Sequence, residues 1–246
     1  MFAALKRHPF PVVAHFDRVM AVSFAFPVEV LKPLVPEPLE IDRYGDLGFV
    51  TVALVWTKGL RPAAMPAMFG QDFFLSGYRV FVRAPDGDRR LRGLKILRSE
   101  TDKARMVFSG NLLTHYNYRR VAIRDEPGRL QTRRPDGRLS LDLRYEVSQD
   151  AGLPEGSPFP DWRTARQFAG PMPFTFDVEP SGGVVAIEGK RATWKPRPFK
   201  VLGCEVGLFD EEPFRGVEPQ LANAFAVENI PYRWERGRLL DLHARS

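Results

Sequence analysis

The residues suited to acid–base, nucleophilic or metal chemistry are few and far apart in this chain. The four histidines, His8, His15, His115 and His243, are widely spaced, and none sits in an HExxH or HxH pattern. A zinc centre needs several ligands at fixed spacing, so no metal site is expected. There is no GxSxG elbow, no GxxxxGK loop and no GxGxxG after a strand. Gly182-Gly183 reads as a hairpin turn, and no cofactor is expected. The single cysteine, Cys204, excludes an intramolecular disulfide and any multi-cysteine centre. It lies in the apolar alternation Lys200–Val206, where a buried thiol is inert.

The elements that must position any site read as strands. Val19–Phe26 and Phe49–Trp56 are apolar enough to be buried strands, with Phe49–Val55 expected at the centre of the sheet. Tyr78–Arg83 and Arg92–Leu97 flank Pro85-Asp86-Gly87-Asp88, and Leu139–Tyr145 alternates strictly after Pro135-Asp136-Gly137. Proline presets φ and glycine accepts a positive φ, so both tripeptides predict hairpin turns. Helices are expected over Val28–Leu34, over Thr101–Leu113 with Thr101 as N-cap, and over Asp161–Phe168 with Asp161 as N-cap. Arg61–Gly70 and Leu153–Pro160 are the long loops. The reading is one α+β domain over residues 1–246, mainly antiparallel β with a few peripheral helices.

Composition narrows the function classes. The chain has 246 residues, 44% apolar and 27% charged, as in a folded soluble protein. Its longest core-like apolar run, Phe49–Trp56, is far short of the ~20 residues that span a bilayer, so no membrane partner is expected. No apolar stretch follows Lys6 and Arg7 before Pro9 and Pro11, and one cysteine fits a reducing compartment, so the expected location is the cytoplasm. The formal charge is +6, with 28 arginines against eight lysines. The densest clusters, Arg89–Arg92 and Arg129–Arg138, flank the two turns and read as solvated hairpin ends. A nucleic-acid surface gathers its charge along one helix or stripe, so no nucleic-acid partner is expected.

Val35-Pro-Glu-Pro-Leu-Glu-Ile-Asp42, following a short helix and leading into a strand, resembles the N-terminal signature of the acetoacetate decarboxylase superfamily. Pro36 and Pro38 stop the helix, and Leu39 and Ile41 then alternate with Glu40 and Asp42, so the motif is a structural joint. Ser109–Arg120 resembles the segment that carries the Schiff-base lysine in that superfamily, and in particular an uncharacterised bacterial branch that reads Pro-Tyr-Arg there. The resemblance implies a β barrel or cone. It also places Asn117 at the family proline and Tyr118 and Arg119 at the two lysine positions. An imine needs an amine of lowered pKa; a phenol cannot form one and a guanidinium stays protonated. Lysine-dependent decarboxylation of acetoacetate is therefore not expected. Lys95 and Lys103 are the nearest lysines, and Lys103 reads as a solvated helix residue. The carboxylate expected before Tyr78–Arg83 has only Asp72 to supply it, off register, and an early family arginine reaches Arg18 only with a one-residue shift.

Two functions are consistent with these residues. In the first, a pocket protein acts on a keto acid or phenolic compound as a lyase, isomerase or dehydratase without Schiff-base chemistry. Tyr118 and Arg119 would be its catalytic groups, with Arg79, Asn111 and Tyr116 binding the ligand, since arginine clamps a carboxylate and tyrosine donates a hydrogen bond. Tyr116 and Tyr118 share strand parity whereas Arg119 points the other way, so one regular strand cannot put all three in one pocket. In the second, the protein binds a small ligand, or is structural, without catalysis. Phe69, Phe73 and Phe74 beside Met65 and Met68 suit an apolar entrance, core packing or a homo-oligomer contact equally.

Overall fold

The structure is a computed structural model, and it describes residues 6–148, 151–169 and 172–242. Three long strands, β1 (Val12–Pro27), β4 (Leu47–Pro62) and β5 (Gln71–Asp86), lie side by side. They continue on one side into β6 (Arg89–Thr101), β11 (Phe174–Val178) and β12 (Val184–Arg191), and on the other into β15 (Gln220–Trp234). Most pairings are antiparallel, among them the short strands β2 (Glu40–Ile41) on β5, β3 (Arg43–Tyr44) on β4 and β13 (Arg197–Pro198) on β15; β6 takes β11 and the short β7 (Tyr118–Arg120) in parallel. The sheet curls until its two sides meet: β12 pairs with β15 through Gly189 with Trp234, Lys190 with Arg233 and Arg191 with Tyr232. The mainly antiparallel architecture expected from the sequence is thus present, with the predicted central strand next to β1 and β5. Both Pro-Asp-Gly tripeptides turn as predicted, with Gly87 and Gly137 at positive φ.

The two faces of the curled sheet differ in the size of their side chains. One face carries Met20, Val22, Phe24, Val52, Leu54 and Tyr78. A second sheet packs on it, formed by β8 (Ala122–Glu126), β9 (Arg129–Arg133), β10 (Leu139–Glu146) and β14 (Lys200–Val206), and contributes Leu130, Leu141 and Leu143 to the same core. Burial of these apolar groups is the main stabilising term. A buried carboxylate, Glu100, sits in this layer. It accepts hydrogen bonds from the Tyr78 hydroxyl at 2.9 Å and the Ser140 hydroxyl at 2.6 Å, which offset its desolvation. The opposite face carries Val19, Ala21, Thr51, Ala53, Val55 and Gly77. Ala21, Ala53 and Gly77 stand in one row across β1, β4 and β5, and such small residues leave the inside of the curl hollow.

Of the three helices, the first packs on the core face and the two longer ones close the hollow. In α1 (Val28–Leu31) and the 3₁₀ turn after it, Pro33 limits the run as expected. The second helix, α2 (Ala104–Leu113), starts later than the sequence predicts, because Thr101 completes β6 and pairs with Leu75. The third, α3 (Trp162–Ala169), opens on Asp161, whose side chain accepts a hydrogen bond from the Thr164 amide at 2.7 Å. Phe159 and Ala165 pack with Phe49, Phe81 and Leu94 to plug one end of the curl. The 35–42 joint is tied down by Asp42, which is 1% exposed and binds Arg83 of β5 and Arg92 of β6 at 2.8 and 2.6 Å.

Candidate functional site

A cavity of about 500 Å³ occupies the inside of the curl. Along β5 the side chains of Leu75, Arg79 and Phe81 face it, while Phe74 and Tyr78 face the packed core. A bulge on β6 extends this arrangement. Tyr78 pairs with Arg98 but Arg79 pairs with Ile96, so Leu97 is the extra residue. Leu94 and Ile96 therefore line the cavity before the bulge and Ser99 lines it after, which sends Arg98 and Glu100 to the other face.

Arg79 is the centre of the site. Its Nε is buried without a hydrogen-bond partner, and no carboxylate of the described residues lies within ion-pair distance. Burial lowers its pKa, opposed by the nearby Tyr232, Tyr118 and Tyr116. A guanidinium stays charged even so. The three tyrosines enter the same cavity. Burial pushes the Tyr118 hydroxyl up to about 12, against the pull of Arg79, and raises Tyr116 and Tyr232 as well. All three remain protonated near neutrality and can donate. Among the described lining residues there is no Asp, Glu or Lys. The cavity thus combines the guanidinium of Arg79 and three phenols within mostly apolar walls, and Arg61, Arg105 and Arg191 also border it.

Local structure fixes these groups. Asn117 takes a positive φ, which asparagine tolerates, and the chain then doubles back from α2 into β7. Asn111 clamps the result: its Oδ1 accepts from the Tyr118 amide at 2.8 Å and its Nδ2 donates to the Tyr118 carbonyl at 3.0 Å. The Tyr118 ring lies against Gly110, where an added Cβ would come within 2.4 Å of it. Gly189 makes the same allowance for Tyr232, whose hydroxyl would lie 1.9 Å from a Cβ there.

The residues singled out from the sequence divide accordingly. Arg79, Tyr116 and Tyr118 come together in the cavity. Arg119 does not line it: on β7 it takes the opposite side to Tyr118, is exposed, and has Arg98, Glu211, Arg134 and Glu100 as its electrostatic neighbours. Asn111 is a backbone clamp and also stands outside the lining. Lys95 is held by Asp177 at 2.8 Å and Lys103 by Asp102 at 2.9 Å, both away from the cavity. Asp72 pairs with Lys58 at 3.1 Å, and Arg18 pairs with Asp125 while lying over Trp56. Of the aromatic group, Phe69 and Phe73 line the cavity with Met65, whereas Phe74 is in the core. Burial pushes the Cys204 thiol up to about 12, consistent with an unreactive residue. His243 lies outside the described residues.

Sequence reasoning missed His8, Tyr232, Trp194 and Trp234, all of which line the cavity. One signal for the hollow was present. Thr51, Ala53, Val55 and Thr57 alternate with Val50, Val52, Leu54 and Trp56, setting smaller side chains against larger ones on a strand read only as buried.

Comparison with known proteins defines the fold class first. "Enduracididine biosynthesis enzyme MppR complexed with pyruvate" superposes with a TM-score of 0.63 at 14% identity, covering 95% of this chain and 91% of that one. Acetoacetate decarboxylase from Legionella pneumophila subsp. pneumophila str. Philadelphia 1 gives 0.62 at 10% identity, covering 93% and 87%. An acetoacetate decarboxylase-like enzyme from Sphingomonas wittichii RW1 gives 0.60 at 14% identity, covering 96% and 94%. The fold is that of acetoacetate decarboxylase, as the 35–42 joint implied. Residues 14–231 match the family DUF2071, described as "Uncharacterized conserved protein (COG2071)", and the chain belongs to that family. None of the curated proteins matches it.

Proposed function

We propose that the protein binds a small organic acid inside the curled sheet, with Arg79 receiving the carboxylate and the Tyr118 hydroxyl donating to a neighbouring oxygen. The observation that carries this reading is the guanidinium of Arg79, half-buried with its Nε enclosed and unpaired, in a lining without Asp or Glu. A cation removed from water is costly unless an anion meets it, and a bidentate carboxylate fits its planar fork. The fold relative whose structure contains pyruvate gives a keto acid as the natural first probe.

Turnover at this site, of the lyase, isomerase or dehydratase kind, proceeds without an imine, because no lysine of the described residues lines the cavity. Tyr118 is the proton donor in such a step and Arg79 the binding group. Arg119 is not carried forward, since its side chain leaves the cavity to the other face of β7.

Isothermal titration with pyruvate and acetoacetate tests the reading. Both acids are expected to bind, and Arg79→Gln to weaken them at least ten-fold while the circular dichroism spectrum is kept. Borohydride with acetoacetate should leave no adduct and no carbon dioxide should be released. Unchanged affinity in Arg79→Gln would remove the proposal; an adduct on Lys95 would restore the amine mechanism.

A further inference from the structure

A keto acid of three or four carbons leaves most of the cavity, and most of its apolar wall, unfilled. Its volume is about 500 Å³. At about 30 Å³ per water-sized heavy atom, that is room for roughly 17 such atoms, and a three-carbon keto acid fills about a third of it. Its extent falls in the range of sites for drug-sized ligands.

One wall beyond Arg79 is aromatic, with Arg191 lying over Trp194. Phe16, Tyr232 and Trp234 form one cluster, with ring centroids 4.9 Å apart for Phe16 and Tyr232 and 4.6 Å for Tyr232 and Trp234. Trp194 and Phe225 continue it, 6.1 Å apart. The hollow that these rings face lies over Ala21 and Ala53; the third position of that row, Gly77, is covered by the Arg79 guanidinium, whose Nε would be 2.9 Å from a Cβ there. At the mouth, Met65 and Phe69 both line the cavity and stay exposed, at 40% and 54%. An apolar rim of this kind suits the passage of an apolar ligand.

We infer that the ligand is an aryl-substituted organic acid of about 12 to 17 heavy atoms. Its carboxylate sits at Arg79 and its ring occupies the hollow over Ala21 and Ala53, stacked among the aromatic walls. This rests on the organic-acid reading above and names the class of acid. The gain comes from burying the aryl face, and edge or offset contacts with the rings add to it.

The experiment compares pyruvate, phenylpyruvate and 3-(2-naphthyl)propanoate with the neutral amide of the naphthyl acid. Binding is read from the fluorescence of Trp194 and Trp234, which line the cavity, and checked by calorimetry. Phenylpyruvate is expected to bind at least ten-fold tighter than pyruvate, the naphthyl acid tighter again, and the amide at least ten-fold more weakly than its acid. Ala53→Leu fills the hollow and should bring phenylpyruvate and pyruvate to within about three-fold of each other, the residual spread of a lost aryl contact. Acids that all bind alike, yet all need Arg79, would overturn the aryl inference and leave the organic-acid reading standing. An amide that binds as tightly as its acid, with Arg79→Gln harmless, would overturn the organic-acid reading and this one with it. An aryl preference that survives Ala53→Leu would overturn the placement of the ring.

Discussion

At the scale of single residues, Arg79 and Tyr118 divide the work of holding an anion into charge and direction. Tyr118→Phe deletes one hydroxyl and keeps the ring against Gly110. Acid affinity should fall about five-fold, the equivalent of ~1 kcal/mol for one neutral hydrogen bond, with thermal stability little changed. Titration of the two proteins with one acid measures it; equal affinities would mean that the hydroxyl meets no ligand atom. The divergence of Arg119 from Tyr118 was legible in the chain because strand side chains alternate, whereas Tyr116 reaches the same cavity from outside β7, across the positive φ of Asn117. The role of Asn111 was not legible. Its partners are the backbone amide and carbonyl of Tyr118, and a backbone contact leaves no mark on side-chain pattern. Tyr232 was hidden for another reason: it stands near Arg79 from a strand far further along the chain, held there by pairings with β1 and β12.

At the scale of elements, the 35–42 joint serves the sheet and stays away from the cavity. Asp42 lies nearly without solvent between two guanidinium groups that belong to successive strands of one hairpin. Asp42→Ala leaves both without their acceptor and should cost about 3 kcal/mol, the low end for breaking a buried pair because the arginines keep some water. Urea denaturation reads this directly, and acid affinity per folded molecule should be unchanged. A loss below about 1 kcal/mol would mean that the arginines rehydrate freely. Turn chemistry made both Pro-Asp-Gly hairpins and the Asp161 cap visible in the sequence, since each depends on neighbours only. The start of α2 was misplaced because Thr101, a good cap by residue type, is claimed by its ladder to β5, a partner distant in the chain.

At the scale of the molecule, the curl makes one surface a core and the other a container. His8 belongs to the rim of that container: its Nδ1 is buried without a partner, and burial lowers its pKa. A histidine kept neutral in the fold contributes stability that is whole above its unfolded value, about 6.5, and is lost as pH falls from there towards the lower folded value. Wild type should therefore lose up to about 1.4 kcal/mol per pH unit below 6.5 relative to His8→Asn, whose asparagine accepts the same positive φ. Denaturant midpoints of the two proteins at pH 7.5 and 5.5 check it; parallel midpoints would place His8 in water. The antiparallel class was legible from strand patterns and the joint. The curl and its hollow were not, because closure depends on β15 pairing both with β1, from the other end of the chain, and with β12.

The extra residue at Leu97 has a consequence for how this protein can evolve. Loss of that one codon would remove only the surplus residue, so the ladder would become even, with Ile96 and Ser99 still on the inner wall and Arg98 and Glu100 still facing away. The harmful change is the reverse one: a lineage that kept every residue of β6 yet paired them evenly with β5 would turn Arg98 and Glu100 inward, and Glu100 would cancel the charge of Arg79. Relatives of this gene can thus shed Leu97 and keep an anion receptor, and the way β6 counts off against β5, more than the identity of any residue in it, marks which of them do.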